Sequence, residues 1–177
     1  MKIKHWCLWL TLSLTVTVSS YAKETAFRLS PFIKPSFQQI TLKVDPDSPT
    51  FSGETTVKID VTKSTDTIGF YQKDLNIQQA FLSKGEKRIP LTVTSHDYDI
   101  QQGKAAQKIN ADRYTLHIIF DGKVNTSSDG MYLSKFEGRN YVFTQFEDMH
   151  ARKAFPTFDE PAFKIPYQMT IMSPEKH

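Results

Sequence analysis

The residues best able to do chemistry lie in one short stretch of a 177-residue chain, from Thr144 to Lys164. If Tyr141 to Glu147 runs as a strand, successive side chains alternate between faces, so Gln145 and Glu147 project together while Phe146 points into the core. A neutral amide then stands beside a carboxylate. Such a pair suits a substrate ammonium group, the carboxylate supplying charge and the amide supplying hydrogen bonds that fix orientation. Read alone, Glu147 serves equally as a solvated carboxylate or as an acid near the start of the short turn that follows. Downstream, Asp159-Glu160-Pro161 suits a turn, and Arg152 is close enough in sequence to pair with one of the two acids in a structural role.

The elements that must position these groups read as short strands. Ile40, Leu42 and Val44 alternate with Thr41 and Lys43 before Asp45-Pro46-Asp47-Ser48-Pro49 breaks the pattern. After Gly53 the alternation returns, with Thr55, Val57, Ile59 and Val61 on one side, and predicts a hairpin partner for the first strand. Further strands are expected at Thr67 to Tyr71, Leu75 to Leu82 and Arg88 to Val93. Ser95 to Asn110 is polar and aperiodic, and is expected to be a mobile surface loop. Alternation is strong again at Tyr114, Leu116, Ile118 and Phe120, with Asp121-Gly122 expected to close that strand in a turn. Strands through Met131 and Leu133, from Tyr141 to Phe146 and from Ile165 to Met172 complete the set, and only Phe146 to Ala154 has a briefly helical pattern. Many short strands without a long 3.6-residue period predict an all-β fold, a saddle-like double antiparallel sheet of the β-sandwich type.

Residues 1–22 stand apart from that domain. Lys2, Lys4 and His5 precede an apolar run from Trp6 to Val18, which ends at Ser20-Tyr21-Ala22, the pattern of a secretory signal cleaved after Ala22. The run is shorter than the roughly 20 residues that span a bilayer, and Thr11, Ser13, Thr15 and Thr17 interrupt it, so no stable membrane insertion is expected once it is removed. An exported chain, periplasmic or secreted, is the expectation, with residues 23–177 forming one domain. The net charge of +3 includes Lys2 and Lys4, which leaves a near-neutral mature chain without the clustered basic face that nucleic acid requires. The single cysteine, Cys7, also lies in the leader, so the domain must hold together by packing alone.

Thr144-Gln145-Phe146-Glu147, followed by Ala151-Arg152, Phe155-Pro156, Phe158-Asp159-Glu160-Pro161 and Phe163-Lys164, resembles the signature that closes the N-terminal β-domain of the aminopeptidase N family of zinc metallopeptidases. Phe51-Ser52-Gly53, Tyr114-Thr115-Leu116 leading to Phe120-Asp121-Gly122, and Gly130-Met131-Tyr132-Leu133-Ser134 occur in that family's order. The resemblance spans about Leu29 to Pro174. It implies that Gln145 contacts the first residue of a peptide substrate and that Glu147 binds its α-amine, while Arg152, Asp159 and Lys164 are read as structural. Thr157 departs from the pattern, since many relatives have cysteine there.

The resemblance also implies a thermolysin-like catalytic domain after this one, with zinc on the two histidines of an H-E-x-x-H helix and a distant glutamate. That motif is absent from this sequence, whose five histidines, His5, His96, His117, His150 and His177, occur singly. The segment expected to supply a second amine-binding carboxylate is absent as well. No metal ligands are therefore assigned here, and the chain by itself should not be a peptidase. The alternative reading is a non-catalytic β-sandwich module that binds peptide or protein through an edge strand or through Tyr141, Phe143, Phe146, Phe155 and Phe158, although core packing accounts for the same aromatics.

Overall fold

The computed structural model describes residues 28–175. The expected leader at 1–22 lies outside the described residues, as do Cys7, His5 and His177. Eleven strands follow one another: β1 (Ile33–Lys43), β2 (Thr50–Val61), β3 (Thr65–Tyr71), β4 (Leu75–Lys84), β5 (Lys87–Pro90), β6 (Thr92–Ser95), β7 (Ile100–Ile109), β8 (Asp112–Lys123), β9 (Gly130–Phe136), β10 (Arg139–Gln145) and β11 (Tyr167–Met172). Two single 3-10 turns, Asp97–Asp99 and His150–Lys153, interrupt them. The all-β expectation holds.

The strands form a six-stranded sheet in the order β11-β1-β2-β8-β4-β5, a three-stranded sheet in the order β3-β7-β6, and the two-stranded hairpin β9-β10. The predicted β1–β2 hairpin forms in register, with Ile40 opposite Thr55 and Leu42 opposite Gly53. One pairing departs from the antiparallel rule, because β11 runs parallel to β1 at the sheet edge.

Period-2 alternation explains the layering. In β2, Phe51, Thr55, Val57, Ile59 and Val61 are buried, and across the ladder Thr55 faces Ile118 and Val57 faces Leu116, so one face of the large sheet is buried and mostly apolar. Two structures cover that face. Over one half the three-stranded sheet contributes Ile68, Phe70, Ile100 and Ile109 against Val57, Ile59, Leu82 and Leu116. Over the other half, Met131 of β9 with Ala154 and Phe155 pack on Ile40, Leu42, Phe51 and Phe120. Each fully buried side chain of this size contributes about 1.5–3 kcal/mol.

Three local readings are corrected. Residues 95–110 are not a loop: they contain β7, the central strand of the small sheet. Between the buried Ile100 and Ile109 at its ends, its inward positions are Gln101, Gly103 and Ala105, whose small or polar side chains hide the alternation. A Cβ at Gly103 would lie 3.0 Å from Leu91 Cδ1, and the buried Gln101 accepts a hydrogen bond from Ser95 Oγ at 2.7 Å, so close packing rather than bulk orders the strand. Gly122 is likewise not a turn residue, because β8 continues to Lys123 and a Cβ at Gly122 would meet Phe51 and Leu75 at 2.7 Å. Arg88 to Val93 is two strands on different sheets, separated at Leu91, whose N–H bonds to the Ala80 carbonyl at 2.9 Å.

Candidate functional site

Gln145 is the last residue of β10 and pairs with Gly130, the first residue of β9. The strand stops there instead of continuing through Glu147, and the chain turns through Glu147, Asp148 and Met149 into the His150–Lys153 turn, with His150 N–H bonded to the Phe146 carbonyl at 2.8 Å. Phe146 is half-buried and meets Phe155 edge-on, with ring centres 5.6 Å apart. Gln145 and Glu147 are both exposed. They come together through the backbone, since Glu147 N–H donates to Gln145 Oε1 at 3.3 Å. Among the described residues the Glu147 carboxylate makes no ion pair, so its charge is directed at solvent. Exposed backbone and side chains thus hold an amide oxygen and a carboxylate two residues apart at the mouth of the hairpin.

Arg152 and Asp159, read from the sequence as a structural pair, bond one another. Arg152 is 5% exposed; its Nη2 and Nε donate to Asp159 Oδ2 at 2.9 and 3.1 Å, and its Nη1 stands 3.5 Å from Asp99 Oδ2. Its guanidinium lies 4.2 Å from the centre of the Tyr71 ring. Tyr71 also anchors the segment through paired backbone bonds with Thr157, at 2.8 and 3.0 Å, and its hydroxyl donates to Glu160 Oε1 at 3.1 Å. Burial first, and then the Glu160 carboxylate, push the Tyr71 phenol up to about 12. Asp99 and Tyr71 escaped sequence reasoning because they come from other strands and turns. Thr157 donates to the buried Gln38 Oε1 at 3.1 Å, while Gln38 Nε2 donates to Thr55 Oγ1 and to the Pro156 carbonyl at 2.9 Å each.

A cavity of about 330 Å³ opens between this segment and the β1–β11 edge, lined by Ile40, Phe146, Phe155, Phe163, Tyr167 and Met169 among others. Phe146 is its shared wall with the turn; Gln145 and Glu147 do not line it. Of the other aromatics considered, Phe155 and Phe158 are core residues, whereas Tyr141 and Phe143 are 39% and 49% exposed and extend a row of rings from Tyr132. Among the described residues, no three His, Cys, Asp or Glu side chains stand together in a way that could hold a metal ion. No helix among them is long and apolar enough to cross a membrane.

Comparison with known proteins gives the family. The family model described as the peptidase M1 N-terminal domain matches residues 34–177. Aminopeptidase N of Acetobacter pasteurianus is 28% identical over 160 residues, covering 87% of this chain and 44% of that protein. Aminopeptidase M1-D of Oryza sativa subsp. japonica is 30% identical over 154 residues, covering 84% and 18% respectively. Human endoplasmic reticulum aminopeptidase 1 is 32% identical over 161 residues, covering 85% and 17%. The chain therefore spans less than half the length of each of these relatives. With the signature, the eleven-strand fold and the family match in agreement, the chain belongs to the peptidase M1 N-terminal domain family.

Proposed function

We propose that this domain serves an exported zinc aminopeptidase, in which Gln145 and Glu147 form part of the pocket that receives the α-amine of a peptide. The observation that carries the reading is the exposed Glu147 carboxylate, free of ion pairs among the described residues and tied through its own N–H to Gln145 Oε1. A carboxylate so placed pairs with an ammonium, and the neighbouring amide orients it by hydrogen bonding. An internal peptide bond offers no such charge, so the pocket selects chain ends and disfavours endopeptidase action. Peptide-bond hydrolysis would be supplied by zinc held in a catalytic domain of a longer polypeptide. This chain contributes binding and orientation of the free amine.

The test is kinetic, in a polypeptide that joins this domain to its catalytic domain. Glu147→Gln is expected to raise KM for free-amine substrates by about 10- to 100-fold, the equivalent of a lost charged hydrogen bond, with a smaller effect on kcat. Unchanged KM and kcat would contradict the reading. Export is tested separately by sequencing the N-terminus of the mature protein, expected at Lys23.

The exposed row Tyr132–Phe143–Tyr141 favours a second reading, a module that binds peptide through aromatic contact. Retention of peptides irrespective of N-terminal acetylation supports it over the amine pocket.

A further inference from the structure

The Gln145–Glu147 turn has two roots. One is the end of β10, where Gln145 pairs with Gly130; the other is the 3-10 turn that ends at Lys153. Between them Glu147, Asp148 and Met149 are all exposed, so packing on their own side chains does not hold the turn in place. Phe146 alone packs, edge-on against Phe155, so the position of the turn rests on that contact and on whatever ties the roots together.

Asp129 immediately precedes Gly130, and its Oδ2 receives Lys153 Nζ. We propose that the Asp129–Lys153 ion pair is a positioning clamp that fixes the Gln145–Glu147 turn against the β9–β10 hairpin. Three further features support it. First, the pair is sheltered: its side chains are 15% and 22% exposed, against 45% and 29% for Lys73–Asp99 and 53% and 39% for Lys84–Asp112. Exposed pairs are screened by water and contribute little, whereas a sheltered, hydrogen-bonded pair holds geometry. Second, the acceptor is preorganised. Ser127 Oγ donates to Asp129 Oδ1 at 2.8 Å, and Asn125 Nδ2 donates to Asp129 Oδ1 at 3.3 Å and to its carbonyl at 2.8 Å. Third, Gly130 has φ +64°, and a Cβ built on it would lie 2.7 Å from Lys153 Cβ. Glycine at this position both permits the left-handed backbone and lets the lysine stem cross the start of β9.

The clamp closes a ring from Gly130 across the ladder to Gln145, through the turn to Lys153, and back through Asp129. Its consequence for amine binding rests on the function proposed above; its structural role does not. Asp129 and Lys153 are positioning residues and touch no substrate.

The experiment is amide hydrogen exchange on the full chain. The His150 amide, bonded across the turn to the Phe146 carbonyl, and the Asn125 amide, bonded to the Met131 carbonyl, are the probes. Lys153→Met and Asp129→Asn are expected to accelerate exchange at both by about tenfold, with Val57 and Leu116 in the large sheet unchanged. Lys153→Arg retains the charge and keeps exchange slow, and Gly130→Ala, which perturbs the same contact from the other side, accelerates it. Rates at His150 within about twofold of wild type in both Lys153→Met and Asp129→Asn overturn the clamp. If one of these variants loses the slow Val57 and Leu116 amides, the other is read alone: fast His150 exchange upholds the clamp and wild-type exchange overturns it. Titrating the same samples with a free-amine dipeptide and its N-acetyl counterpart keeps the two ideas apart. A wild-type chain indifferent to acetylation removes the amine-pocket reading, while the exchange rates alone judge the clamp.

Discussion

The Arg152 guanidinium lies 4.2 Å from the centre of the Tyr71 ring, joining the segment after the candidate pocket to the end of β3. Arg152 also bonds Asp159 and approaches Asp99, so one planar cation satisfies two acids and one aromatic face at once. Lysine offers neither the fork nor the flat stacking surface. Arg152→Lys is therefore expected to lower stability by about 2 kcal/mol, and Arg152→Met by more because Asp159 loses its cation and Asp99 keeps only Lys73. Urea unfolding measures both, and a loss below about 0.5 kcal/mol for Arg152→Met contradicts the arrangement.

Tyr71 gives a pH prediction at the alkaline end. Its phenol is pushed from 10.0 up to about 12, by burial first and by Glu160 next. Because the folded state holds this proton more tightly than the unfolded chain, the stabilisation is complete below pH 10 and is lost as pH rises from 10 towards 12. Tyr71→Phe removes this contribution. The stability–pH curve of the variant should fall less steeply over that interval, and tyrosinate absorbance should lose its late-titrating component.

Gly53, in the Phe51-Ser52-Gly53 motif, lies in β2 between β1 and β8, and a Cβ there would approach the Thr41 carbonyl oxygen at 2.7 Å, Phe120 Cζ at 2.8 Å and Leu42 Cδ2 at 2.9 Å. Backbone cannot yield as a flexible side chain can. Gly53→Ala should cost about 1–3 kcal/mol by overpacking, read as a lowered urea midpoint with an unchanged slope.

Bulk and spacing decided which elements were legible. The alternating Ile, Leu, Val and Phe residues of β1, β2 and β8 announce a half-buried strand because each inward position carries enough apolar surface to drive burial. In the middle of β7 the inward positions are Gln101, Gly103 and Ala105, and Leu91 fits against Gly103, a long-range contact with no period of its own. Gly122 misled for a related reason: glycine marks turns and tight strand crossings alike. The pairing of Arg152 with Asp159 was readable from proximity in sequence, whereas Asp99 and Tyr71 reach the same guanidinium from other parts of the fold. At the candidate pocket, both Gln145 and Glu147 emerge on the exposed side, yet by a turn that follows β10 rather than by strand alternation. Nothing in the local pattern told where β10 would stop, because it ends where its ladder partner Gly130 begins β9, a long-range pairing with no local period.

The amine pocket is tested most directly by titrating the full chain with a free-amine dipeptide and with the same dipeptide N-acetylated, following backbone amide resonances. The account predicts saturable shifts at Gln145, Phe146 and Glu147 for the free amine, with a Kd of about 1 mM, and their loss on acetylation or in Glu147→Gln. Equal shifts with both peptides, or shifts that persist unchanged in Glu147→Gln, would contradict it.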